Sequence, residues 1–122
     1  MTKLEALTEL AAKVEVGECQ NDGTMFKGFG DNWTHCFDAY HGSLDAAKAL
    51  HEAVLPGWHW SMESEDKICA VYKNPMNDDG HAHLGKSPNP ARAWLLAIIR
   101  AMIAQERATA LQDLAYADRD LL

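Results

Sequence analysis

The stretch from Pro90 to Arg107 constrains this chain more than any other. Leu95, Ile98 and Met102 fall on one helical stripe, and Leu96, Ile99 and Ile103 fall on a second stripe beside it. An apolar arc that wide exceeds what one sheet face covers, so a second helix or another subunit must pack on it. Pro90 suits the first turn of such a helix, with Ser87 or Asn89 as its cap. The pattern predicts a helix over 90–107 and makes Leu96, Ile99 and Ile103 a candidate homo-oligomer interface. A helical tail over 108–122, with Leu111, Leu114 and Ala115 at helical spacing, is the other candidate cover.

The remaining elements follow from shorter patterns. Thr2 and Glu5 stand in capping-box register before Leu4, Leu7, Leu10, Ala11 and Val14, which predicts a helix over 2–15 stopped by Gly17. Residues 18–42 lose that periodicity: glycines and Asn/Asp recur, and Phe26, Phe29 and Trp33 break in. This reads as an irregular, aromatic-rich segment with one short strand near Thr34 to Tyr40. Ser43 caps a helix over 44–55, ended by Pro56-Gly57. Trp58-His59-Trp60-Ser61-Met62 alternates with period two, giving a strand over 58–63 with Trp58, Trp60 and Met62 on one face. Glu63-Ser64-Glu65-Asp66 turns the chain into a second strand over 67–73, and residues 81–84 have the composition of a third. With 122 residues, 48% of them hydrophobic and 24% charged, the chain is long enough for one self-sufficient domain over 1–122. The expected class is α+β: an antiparallel sheet of about three strands sandwiched between helical layers, an α-β-α sandwich.

Charge and motif content narrow the function more by exclusion than by assignment. Eleven basic against eighteen acidic side chains give a net charge of −7. Neutralising nucleic-acid phosphates is a poor task for such a chain unless its few cations cluster, so no nucleic acid is expected as a partner. The longest apolar run, Ala93 to Ile99, is far short of a membrane span, and the first residues lack the apolar core of a signal peptide. A cytoplasmic protein with free thiols at Cys19, Cys36 and Cys69, and with no membrane association, is the expectation. Two His/Cys groupings invite a metal. His81 and His83, one residue apart, would share a side of a strand with Asp79 nearby, a set suited to Zn²⁺ or Fe²⁺. Cys19, Cys36 and His41 (with His35) fall together in the irregular segment, although their spacing matches no standard finger. Neither set is accompanied by HExxH, and no GxSxG or phosphate-binding glycine motif occurs. No catalytic residue and no cofactor follow from the sequence, and the expected role is non-enzymatic.

Two stretches resemble a known family. Ser43-Leu44-Asp45-Ala46-Ala47-Lys48-Ala49-Leu50 followed by Val54-Leu55-Pro56-Gly57-Trp58-His59-Trp60-Ser61, and Ser87-Pro88-Asn89-Pro90-Ala91-Arg92-Ala93-Trp94-Leu95-Leu96 followed by Ala97-Ile98-Ile99-Arg100-Ala101, resemble the phage ABA sandwich domain proteins. These are small uncharacterised proteins of bacteriophages and prophages, and the likeness covers roughly residues 43–106. It implies a sheet between helical layers, a phage or prophage setting and hence a host cytoplasm, but no reaction and no site residues. The segment 18–42 departs from the family pattern, and Trp94, Met102 and the isoleucines make the third helix bulkier. Together with the acidic balance, the resemblance implies an accessory protein that binds a host or phage protein, with mimicry of nucleic acid as one route. A metal-dependent enzyme built on the His/Cys groupings and a homo-oligomeric structural component are the alternatives.

Overall fold

The computed structural model describes residues 2–18, 23–73 and 82–120. Among the described residues five α-helices, one 3₁₀ turn and three strands follow in the order α1 (Lys3–Val16), α2 (Thr24–Phe29), the 3₁₀ turn (Gly30–Asn32), α3 (Trp33–Tyr40), α4 (Leu44–Val54), β1 (His59–Glu63), β2 (Ile68–Tyr72), β3 (His83–Lys86) and α5 (Pro90–Asp120). The strands form one antiparallel sheet in the order β1-β2-β3. The class is thus α+β, with a three-stranded antiparallel sheet packed against helices.

Local chemistry explains the helix ends. The Thr2 hydroxyl accepts from the Glu5 amide at 3.1 Å, and Gly17 closes α1 in the left-handed conformation at φ 75°. The Ser43 hydroxyl accepts from the Ala46 amide at 3.1 Å to start α4. For α5 the cap is Asn89, whose Oδ1 accepts from the amides of Ala91 and Arg92 at 3.0 and 3.3 Å; Ser87 in turn braces Asn89 through the Asn89 amide.

Helix α5 solves the problem of its own wide apolar arc by lying in the middle. Every residue from Ala93 to Ile99 is buried, which is the signature of a helix enclosed on all sides. The sheet covers one side through β2 and β3, and α1, α3 and α4 cover the other. Among the described residues it is therefore α5 that has a layer on each side, with helices reaching the sheet through it. Full burial of Leu95, Leu96, Ile98 and Ile99 contributes on the order of 6–12 kcal/mol, an upper estimate.

Three sequence-based expectations change. Residues 24–40 are helical, not irregular, and the strand expected near Thr34 to Tyr40 is α3. Met25 and Phe29 stand four apart, and Cys36, Ala39 and Tyr40 three and four apart; all five are buried, so tertiary burial decides over the strand preference of the aromatics. The tail does not fold back: the helix continues unbroken through 108 to Asp120, and α1 supplies cover instead. The third strand begins two residues later than expected and extends to Lys86, because Gly85 is its seat on α5. A Cβ at Gly85 would meet the Ala93 carbonyl oxygen, the Ala97 nitrogen at 2.6 Å and the Leu96 Cβ at 3.0 Å. Only glycine lets the two backbones come this close.

Two arginines tie the layers together. Arg92 Nε donates to the Tyr40 carbonyl at 2.6 Å, and its guanidinium lies 4.2 Å from the Tyr40 ring centroid, so a cation sits at the negative C-terminal end of α3. Arg100 donates to the Leu84 carbonyl at 2.6 Å, occupying the outer edge of β3, and approaches Glu15 of α1 at 3.6 Å.

Candidate functional site

The best candidate site grows from the turn that joins α4 to β1. Gly57, at φ 83°, reverses the chain, and the Trp58 amide donates back to the Leu55 carbonyl at 3.0 Å. His51, on the last turn of α4, is 3% exposed, and both ring nitrogens are used. Nε2 lies 2.9 Å from the Trp58 carbonyl, and Nδ1 accepts from the Trp94 indole N–H at 3.2 Å. Since the carbonyl can only accept, the ring is the neutral Nε2–H tautomer. This histidine locks the start of β1 to α5. Its pairing with Trp94 joins residues 43 apart and carries no local signal in the sequence.

Held in this way, β1 presents aromatic groups outward. Trp60 packs on Trp94 with centroids 4.2 Å apart yet remains 43% exposed. Trp58 lies 6.1 Å from the His83 ring, and on the opposite face of the sheet His59 stacks on Tyr72 at 5.6 Å, 19° from parallel. The sheet order makes β1 and β3 the edges. Arg100 and α5 occupy the β3 side, whereas among the described residues no backbone hydrogen bond reaches the outer edge of β1. Four of the five β1 residues are exposed, and β1 contains neither Lys nor Pro, the usual guards of an open edge. At its far end Glu63, Glu65 and Asp66 are all exposed, so the edge leads into an acidic turn.

Of the metal candidates, the two that are described from the first grouping, Cys36 and His41, do not come together. Cys36 is buried in the core whereas His41 is exposed beyond α3, its ring against Phe37 and Tyr40 at 4.5 and 5.2 Å. On a helix these positions diverge, a correction to the reading that grouped them in one loop. His83 is half-buried on β3 beside Trp58; Cys19, Asp79 and His81 lie outside the described residues. Among the described residues no three His, Cys, Asp or Glu side chains are placed to hold a metal. The oligomer candidates are corrected as well: Leu96 and Ile99 are buried within a single chain, and Ile103 packs against that same core. Leu96 and Ile99 are thus interior, not interface, and Ile103 is half-buried at the margin of that core. Also among the described residues, no helix is long and apolar enough to cross a membrane.

Cys69 offers no nucleophile. Burial pushes the Cys69 pKa from 9.0 up to about 12, so at neutral pH it is a protonated, shielded thiol. Because the unfolded chain gives up this proton near 9 and the folded chain holds it to about 12, its contribution to stability is complete below pH 9 and is lost as pH rises through that window. Urea melts across this range should therefore decline less steeply with pH for Cys69→Ala than for the parent. Equal slopes would mean that the thiol is not protected by the fold.

The chain matches no family model, no curated protein and no solved structure.

Proposed function

We propose that this protein is a non-enzymatic binding module that captures an extended, basic segment of a partner protein by strand addition to β1. The supporting observation is the open, aromatic edge of β1, with Trp60 exposed beside it and the acidic Glu63-Glu65-Asp66 turn at its end. Main-chain pairing to an edge strand gives affinity, and alternate side chains give specificity. An exposed tryptophan on a rigid support is the kind of group on which binding energy concentrates. The net charge of −7 favours a cationic partner and speeds its approach. A phage or prophage accessory role, as the family resemblance implies, fits a small module of this type. Acidic mimicry of nucleic acid is a variant of the same reading, since it too would place a basic host surface against the acidic turn.

A short peptide of alternating Lys and Val tests the idea without knowing the natural partner. The parent protein should bind it, and an alternating Glu-Val peptide should not bind. Trp60→Ser should weaken the Lys-Val complex by roughly 30-fold, the effect of losing about 2 kcal/mol at a hot spot. Binding that ignores both the peptide's charge and the tryptophan would sink the proposal. Circular dichroism of the variant separates lost binding from lost fold.

A further inference from the structure

Between α1 and α5, with His83 of β3 at its margin, lies an open groove of about 480 Å³. That volume lies within the range of small-molecule sites, about 300–1,000 Å³. Its floor is apolar, made by Ala11, Ala12, Ile103 and Ala104, and its polar wall carries Arg100 and Arg107. The two arginines stand seven residues apart on α5, on the same side and about 10 Å apart along the axis. In a chain with a net charge of −7, this convergence runs against the overall balance. Among the described residues Glu15 is the one carboxylate in the lining. It meets Arg100 at 3.6 Å with 60% of its side chain exposed, so the pair is weak and solvent-screened. Arg107 has no ion-pair partner among the described residues.

We infer that this groove binds a small organic oxyanion with a flat apolar body. The guanidinium of Arg107 takes the anionic head through paired N–H donors, the geometry in which arginine exceeds lysine. Arg100 adds charge from a position fixed by its bond to the Leu84 carbonyl. The alanine floor leaves room for a ring, and Ile103 supplies apolar contact beneath it. The head group is a carboxylate or a phosphate monoester, both of which present coplanar or splayed oxygens to a guanidinium.

Benzoate and phenyl phosphate are the probes, with benzyl alcohol and inorganic phosphate as controls. Followed by amide NMR shifts, at least one probe should move Ala11, Ala12, Ala104 and Arg107, and which one binds more tightly identifies the head group. Arg107→Gln, on an exposed position, should weaken that probe about tenfold. Ala104→Leu, which fills the floor, should abolish its binding while thermal melts show both variants folded. The inference is overturned if neither probe shifts these amides. It is equally overturned if Arg107→Gln leaves affinity unchanged, or if benzyl alcohol or inorganic phosphate binds as well as the probes.

Discussion

Replacing Gly85 by valine abolishes cooperative folding, and even Gly85→Ala costs at least about 3 kcal/mol, the upper end of ordinary overpacking. The added Cβ strikes the Ala93 carbonyl oxygen and comes within 2.6 Å of the Ala97 nitrogen. Both are backbone atoms in the enclosed helix, so no rotamer change relieves the collision. Trimming Ala93 or Ala97 to glycine does not rescue it for the same reason. A domain of this size has roughly 6–18 kcal/mol of stability to lose, and the valine must push β3 off α5 altogether. Urea denaturation followed by far-UV circular dichroism reads the result. Lys86→Ala, an exposed change on the same strand, serves as the control and should leave the midpoint nearly unmoved. A Gly85→Val protein with a parent-like transition would mean that β3 does not rest on α5.

The second large effect is expected at His51. Leucine in its place retains apolar bulk but strips two partners at once: the Trp94 indole N–H and the Trp58 carbonyl. Each orphaned polar group costs about 1–3 kcal/mol, so His51→Leu should lose about 2–6 kcal/mol in all. Trp94→Phe removes the orphaned donor, and the double variant should be less destabilised than the sum of the two single changes. Strict additivity in urea melts would show that the hydrogen bond between helix and indole contributes nothing. Beyond stability, loss of this histidine loosens the start of β1, so affinity at the edge should fall with it.

How much of this was legible in the sequence depended on the range of the cause. The α5 helix was written locally in its proline, its capping asparagine and its doubled apolar stripe. The period-two run from Trp58 to Met62 likewise marked β1, and the burial of Cys69 and Val71 follows the alternation that assigns them to one face of β2. What failed was anything decided at a distance. Helices α2 and α3 have poor local propensity and exist because Met25, Phe29, Cys36, Ala39 and Tyr40 find a core, and their spacing was the overlooked signal. The seat of Gly85 on α5 has no counterpart in local pattern, and neither does the choice of β1 as the open edge, which requires the sheet order. The stripe of Leu96, Ile99 and Ile103 is too wide to stand without cover. Its partner proved to lie within the chain, because α5 is covered by the sheet on one side and by helices on the other. Grouping Cys36 with His41 rested on adjacency along the chain, which a helix does not respect: Cys36 turns inward where His41 turns to solvent.

The most direct test of strand addition at β1 is amide hydrogen exchange, measured residue by residue with and without the alternating Lys-Val peptide. The free protein should exchange readily at alternate β1 amides between His59 and Glu63, since among the described residues no backbone acceptor reaches that edge. The bound protein should gain protection at those amides, with smaller changes on β2 and none in the groove between α1 and α5. Added salt should reduce the gain by weakening attraction to the acidic turn. Unchanged exchange along β1 at saturating peptide, or protection appearing only elsewhere, would contradict the assignment of β1 as the binding edge.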